Sequence, residues 1–186
     1  MEKSTTVILN NDNVEKKLAR IAFQIIEQYY EDRELLIVGI SKNGYLLAQK
    51  IYSLIQKDLS SIKIQLIELQ INKRNPLKND ILLLPNTSFH NKKIVLIDDV
   101  LNSGKTLMYA ASFLLKQDIK KMNTVVLVDR RHRNFPIKAD FVGLTLSTTI
   151  QEHINNKIAT IGENISLRRV TCLKGENVYS YVHNSV

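Results

Sequence analysis

Asp98 and Asp99 stand side by side after four apolar residues, Ile94 to Ile97, and just before the turn Asn102-Ser103-Gly104-Lys105-Thr106. Adjacent carboxylates at the end of a buried segment are tolerable only where both reach solvent, a cation or hydroxyl donors. The pair is therefore expected to face a site. The turn that follows supplies backbone amides, two hydroxyls and a flexible glycine where an amphipathic segment begins. At a helix N-terminus the unpaired N–H groups and the helix dipole both favour an anion.

Together these residues suit a ligand with a phosphate at one end and hydroxyls, with room for a divalent cation, a few ångströms away. Ribose 5-phosphate has that shape. The plainer alternative is a turn in which Asp99 caps the helix and Ser103 or Thr106 satisfies backbone groups. An acid pair plus this loop is more polarity than capping needs.

The run Ser103-Gly104-Lys105-Thr106 also matches the end of a nucleotide-triphosphatase P-loop, which requires a glycine five positions before Gly104. Asp99 occupies that position, where backbone must approach phosphate closely, so the P-loop reading fails.

Other polar clusters also fall between apolar runs. Ser41-Lys42-Asn43-Gly44 follows the run Leu35–Ile40, and Arg130-Arg131-His132-Arg133 follows the run ending at Asp129. His132 has no second His or Cys at ligand spacing, which argues against a metal site there. The polar, proline-containing stretch Asn72–Asp80 reads as an exposed loop.

The elements needed to position these clusters follow from hydrophobic periodicity. Val14, Leu18, Ile21 and Ile25 recur on one helical stripe after possible Asn and Asp caps, and Leu47, Ile51, Leu54 and Ile55 repeat the pattern after Gly44. Leu35–Ile40, Lys93–Asp98 and Thr124–Asp129 are short continuous apolar runs of the kind buried on both faces of a sheet, with Ala139–Leu144 a fourth. Ile62, Ile64 and Leu66 alternate with polar residues, as in a strand near the sheet edge. Residues 104–117 read as a helix. This alternation predicts an α/β fold: a mostly parallel twisted sheet with helices on both faces. β-rich pieces at residues 165–173 and 177–182 are expected as antiparallel additions. In such a sheet ligands bind beyond the carboxyl ends of the strands, where the loops Ser41–Gly44, Asp98–Thr106, Asp129–Arg133 and Leu146–Gln151 gather.

With 186 residues, 44% of them hydrophobic, the chain is expected to form one domain, residues 1–186, around a single core. No apolar run approaches the ~18 residues of a membrane span. The lone Cys172 forms no internal disulfide, and no leader-like segment is seen at the start, so a cytoplasmic protein is expected. The net charge of +8, from 26 Lys and Arg against 18 Asp and Glu, favours anionic partners without choosing among phosphates, nucleotides and nucleic acid.

The segment Asp98-Asp99-Val100-Leu101-Asn102-Ser103-Gly104-Lys105-Thr106 resembles the phosphoribosyl-pyrophosphate-binding motif of the type I phosphoribosyltransferases. The resemblance extends through Val126–Gly143, residues 20–27 and residues 37–48. It is nearest to the bifunctional pyrimidine-operon attenuator and uracil phosphoribosyltransferase group. It implies the type I phosphoribosyltransferase fold with a small hood, a homodimer, and transfer of ribose 5-phosphate from phosphoribosyl pyrophosphate to a nucleobase, a pyrimidine such as uracil.

The resemblance also implies roles. Asp98 and Asp99 hold the ribose hydroxyls, directly or through water on a magnesium ion. Asn102, Ser103, Gly104, Lys105 and Thr106 hold the 5-phosphate, and Ser41, Lys42, Asn43 and Gly44 present amides to the pyrophosphate. Lys73 or Arg74, on a lid formed by Asn72–Asp80, reaches the pyrophosphate. Asp129 and Arg130 sit near base and pyrophosphate, and Leu146, Ser147, Thr148 and Thr149 face the base.

The chain departs from the group's pattern at four places. Its lid reads Ile71-Asn72-Lys73-Arg74-Asn75, with Lys73 in place of an arginine and without paired acids. Its pyrophosphate turn has Lys42-Asn43-Gly44 in place of Thr-Arg-Gly. Ser147 replaces a proline of the base loop, and Phe23 replaces a histidine of the face that binds RNA in relatives, where Lys16, Lys17 and Arg20 retain charge. The altered lid motivates an alternative function: a regulatory protein that senses nucleotide or phosphoribosyl pyrophosphate without efficient chemistry, with RNA as a further partner.

Overall fold

The structure is a computed structural model that describes residues 8–58, 62–73, 81–85 and 87–146. Helix α1 (Asn11–Tyr29) is capped by Asn10, whose side chain accepts from the Asn13 amide at 2.8 Å. The expected stripe of Val14, Leu18, Ile21 and Ile25 is buried. Strand β1 (Glu34–Ile40) is buried on both faces from Leu35 onward, and helix α2 (Asn43–Asp58) buries Leu47, Ile51 and Ile55. Leu54 is only partly buried against the same core.

Strand β2 (Lys63–Gln70) pairs parallel with β1. Its alternation is real, but Ile64 and Leu66 are only partly covered while Ile67 and Leu69 are fully buried on the opposite face. A short strand β3 (Leu82–Leu84), absent from the sequence reading, pairs antiparallel with β2 and takes the edge. Strand β4 (Lys93–Leu101) does not stop at the acid pair. It continues through Val100 and Leu101, paired with Val128 and Asp129. Helix α3 (Lys105–Leu115), strand β5 (Lys121–Asp129) and strand β6 (Phe141–Thr145) complete the described elements.

Among the described residues the sheet has six strands in the order β3-β2-β1-β4-β5-β6, parallel except for β3. Alternate residues of its central strands feed two cores. Leu35, Ile37, Val95 and Ile97 pack with α1 and α2, whereas Leu36, Val38, Ile94 and Leu96 pack with α3. Each such side chain removed from water contributes about 1.5–3 kcal/mol, which is why continuous apolar runs at these strands hold helices on both faces.

The connection from β1 moves outward to β2, while the chain after β4 moves to β5 and β6 on the other side. The boundary between β1 and β4 is thus the topological switch point, where parallel α/β sheets open a crevice at the strands' carboxyl ends. At the far end of the described sheet, Arg20 of α1 donates to the carbonyls of Val142 and Gly143 at 2.7 and 2.8 Å, and Lys17 to Gly143 at 3.1 Å. Two of the charges expected on an RNA-facing surface therefore tie α1 to β6, and Lys16 pairs with Asp12 one turn away. The sequence expectations for residues 147–186, including the antiparallel additions and the hood built from them, lie outside the described residues.

Candidate active site

The acid pair lies at the switch point. Asp98 is buried, with 5% of its side chain exposed, and Asp99 is partly open at 21%. The close packing of α2 on this strand makes the arrangement possible. A Cβ on Gly44 would approach the Ile97 carbonyl oxygen at 2.9 Å, and one on Gly39 would approach Tyr45 Cα at 2.5 Å. Glycine at both positions lets the N-terminus of α2 drop onto the ends of β1 and β4. Asn43 is thereby placed to donate from Nδ2 to Asp99 Oδ2 at 3.0 Å.

A cation sits on the two acids. Lys73 Nζ lies 2.8 Å from Asp98 Oδ1 and 3.1 Å from Asp99 Oδ1, and Asp98 Oδ1 also accepts the Asp99 amide at 3.0 Å. Lys73 reaches this position from beyond β2, across β1. Its base is fixed by Ser41, whose hydroxyl accepts the Ile71 amide at 3.0 Å while the Ser41 amide donates to Leu69 O at 2.9 Å. The Ser41 N–H is thus used by the sheet, so of the expected pyrophosphate turn only Lys42, Asn43 and Gly44 keep amides for a ligand. Lys42 adopts the left-handed conformation, φ 60°, and the first intrahelical bond of α2 runs from Leu46 N to Lys42 O. The preceding amides are those a helix N-terminus leaves to an anion.

The titration of the cluster follows from its burial. Burial pushes the Asp98 carboxyl up to about 7 against the pull of Lys73, with the neighbouring Asp99 charge adding to the rise. Burial also opposes ionisation of Asp99, but the hydrogen bond shared with Asp98, the Lys73 charge and the Asn43 amide outweigh it and hold Asp99 below the usual carboxylate range. Burial likewise opposes the charge on Lys73, and the two carboxylates outweigh it, raising its pKa above the ordinary lysine value. Two adjacent acids thus have different proton affinities.

Beyond β4 the chain forms the turn expected to cradle an anion. Gly104 takes φ 86° and starts α3 with no side-chain cap and no acidic residue in the first turn. The first α3 bond is Met108 N to Gly104 O, so the amides of Lys105, Thr106 and Leu107 precede it, and that of Lys105 donates to Ser103 Oγ at 3.3 Å. Asp98, Asn102, Ser103, Gly104, Lys105 and Thr106 line one concavity of about 50 Å³. The segment after β5 supports this turn from behind, with Asn134 and Phe135 amides donating to Ser103 O at 2.9 and 3.1 Å. Ile137 Cγ2 lies where a Gly104 Cβ would come to 2.8 Å, so the left-handed turn and its support both require glycine.

Residues read from the basic cluster divide. Arg130 donates to Asn102 Oδ1 at 3.0 Å and so joins the mouth of the cradle. Asp129 is held in its own loop: Oδ1 accepts the Arg131 amide at 2.9 Å and Oδ2 accepts Arg133. It organises the segment behind the cradle rather than facing a ligand freely. The Leu146 amide donates to Asp129 O at 2.7 Å, which leaves only its carbonyl for a base. Arg74, Ser147, Thr148 and Thr149 lie outside the described residues.

The donors present suit a divalent cation of the magnesium type, which takes oxygen ligands and keeps several waters. Asp98 and Asp99 supply the oxygens, and the Lys73 ammonium resting on both shows that the pair attracts a cation. Among the described residues there is no cluster of three or more metal-ligating side chains.

A mostly parallel sheet with an acid pair at its switch point, followed by a helix N-terminus without a side-chain cap, defines an α/β protein whose polar cluster lies at the carboxyl ends of its strands. The chain matches the phosphoribosyl transferase domain over residues 4–159 and belongs to that family, the type I phosphoribosyltransferases. It groups with bifunctional PyrR proteins. It is 38% identical over 156 residues to that of Leuconostoc citreum, covering 79% of this chain and 87% of that one. The Clostridium novyi protein is 31% identical over 165 residues, covering 84% and 92%. Solved structures with the same fold include a hypoxanthine phosphoribosyltransferase from Staphylococcus aureus, at TM-score 0.64 and 19% identity over 75% of this chain and 76% of that one. Another is that of Trypanosoma cruzi, at TM-score 0.66 and 16% identity over 77% and 82%. No helix among the described residues is long and apolar enough to cross a membrane.

Proposed function

We propose that this protein transfers ribose 5-phosphate from phosphoribosyl pyrophosphate to a ring nitrogen of a pyrimidine, uracil being the first candidate, and releases pyrophosphate. The observation that carries this reading is the single concavity shared by Asp98 and the uncapped start of α3. The acid pair takes the ribose hydroxyls, and the amides of Asn102–Thr106 with the Ser103 and Thr106 hydroxyls take the 5-phosphate. The amides of Lys42–Gly44 and the charges of Lys73 and Arg74 take the leaving group.

The bond from the anomeric carbon to pyrophosphate oxygen breaks and a bond to the base nitrogen forms. Positive charge builds on the sugar and negative charge on the leaving group, as in glycoside cleavage. Carboxylate oxygens near the ring tolerate the first, and basic groups with amide dipoles stabilise the second. Asp98 and Asp99 would hold a magnesium ion, which would supply charge neutralisation. No protein nucleophile is required. The Asn72–Asp80 segment excludes water, which would otherwise compete with the base, and Leu146–Thr149 face the base. The protein works in the cytoplasm as a homodimer.

Uracil comes from the likeness to the bifunctional pyrimidine-operon group. The fold is shared with hypoxanthine phosphoribosyltransferases, so the base is what the test must discriminate. Pyrophosphate release from phosphoribosyl pyrophosphate should be measured with uracil, cytosine, hypoxanthine and guanine in turn. Release with uracil is expected. Release only with a purine would overturn the pyrimidine assignment. One observation favours the alternative, a sensing protein that binds without turnover: Lys73 ion-pairs with both acids in the structure. Tight binding of phosphoribosyl pyrophosphate with no release on any base would establish it.

A further inference from the structure

We propose that Lys73 is a built-in competitor of the divalent cation: its ammonium and the hydrated metal exclude each other at Asp98 and Asp99, so the cation enters only when the lysine leaves. This rests on the reading of the acid pair as a magnesium site.

The exclusion follows from the oxygens involved. A carboxylate oxygen has about two lone pairs for donors. Asp98 Oδ1 already accepts the Asp99 amide at 3.0 Å and Lys73 Nζ at 2.8 Å, which leaves no acceptor site there for a metal-bound water. The same ammonium holds Asp99 Oδ1 at 3.1 Å, and Asn43 holds Asp99 Oδ2 at 3.0 Å. A divalent ion added beside the ammonium would also place two cations within a few ångströms of each other in a half-buried pocket, where repulsion is weakly screened.

Lys73 has somewhere else to go. Its side chain is 39% exposed, and it lies two residues beyond the Ile71 amide that Ser41 fixes, so its stem pivots about a firm base. The exchange is reciprocal. Anything that draws Lys73 away raises the affinity of the pair for metal, and metal binding frees Lys73. An anion beside the Lys42–Gly44 turn, such as the pyrophosphate of the donor substrate, would do so and load the metal at the same time.

The test is Mn2+ binding to the full chain without phosphoribosyl pyrophosphate, followed by calorimetry and water-proton relaxation. Wild type, Lys73→Met and Asp98→Asn/Asp99→Asn are compared. Lys73→Met is expected to bind Mn2+ about tenfold more tightly than wild type, within the usual range for coupled sites. Reductive methylation mapped by mass spectrometry gives the second reading: Lys73 is expected to be protected without divalent cation and modified several times faster in saturating Mg2+. Equal Mn2+ affinity in Lys73→Met and wild type, or Lys73 reactivity unchanged by Mg2+, would overturn the proposal. If Asp98→Asn/Asp99→Asn binds Mn2+ as wild type does, the metal assignment underneath it is what fails. Loss of transfer activity on every base, with these binding results intact, would sink the enzymatic reading alone.

Discussion

Gly44 of α2 lies directly against Asp98 of β4: a Cβ at Gly44 would come within 3.1 Å of both the Asp98 Cα and its Oδ1. The N-terminus of α2 is therefore in direct contact with the strand that carries the acids, so neither can shift without the other.

Gly44→Ala tests this coupling. The new methyl meets backbone on β4, including the Ile97 carbonyl at 2.9 Å, so α2 must lift. A loss of about 1–3 kcal/mol in unfolding free energy is expected, as for overpacked core sites. Affinity for phosphoribosyl pyrophosphate should fall in the folded fraction, because Asn43 leaves Asp99. Denaturant melts with calorimetry on the same sample check both.

The pH dependence of stability has a definite sign. Asp98 titrates near 7 in the folded state against about 4 when unfolded, so between those values the native state holds the extra proton and stability falls as pH rises. Asp98→Asn removes that loss. With divalent ions chelated, the stability of Asp98→Asn relative to wild type should rise between pH 5 and pH 8 by about 1–3 kcal/mol. Asp99, held below its ordinary value, acts in the opposite sense: its contribution is present above pH 4 and is lost below it. A constant difference between the Asp98→Asn and wild-type curves would show that Asp98 is already ionised across the window.

At the other end of the sheet, Arg20→Met removes two hydrogen bonds to β6 carbonyls, whereas Lys16→Met removes only an exposed pair with Asp12. Arg20→Met is expected to cost about 1–2 kcal/mol and Lys16→Met less than about 0.5, since bonds from charged groups exceed exposed ion pairs. Chemical denaturation of the two variants checks the contrast. Neither should alter binding at the acid pair.

The order of elements was legible because its signals are local. Six-residue apolar runs such as Leu35–Ile40, and helical spacing at Val14, Leu18, Ile21 and Ile25, are read within one window and survive in the structure. The acid pair and the Gly104 turn were legible for the same reason. What stayed hidden is long-range or too short to register. Strand β3 has three residues, of which Leu82 and Leu84 are exposed, so no burial pattern marks it. The Lys73 contact with Asp98 spans 25 positions and crosses an intervening strand, and Lys17 reaches Gly143 over 126. Arg133 and Asp129 pair four residues apart, but from the end of β5 into the segment after it, where helical spacing has no meaning. In the same way, nothing in the order Ser41-Lys42-Asn43-Gly44 shows that the first amide belongs to the sheet.

Calorimetric binding of phosphoribosyl pyrophosphate to Asp98→Asn/Asp99→Asn, with circular dichroism on the same sample, bears most directly on the grip of a sugar diol by the acid pair. A folded double variant with affinity reduced at least about 100-fold, roughly 2.7 kcal/mol, is the expected result. A folded double variant that binds phosphoribosyl pyrophosphate as tightly as wild type would contradict it.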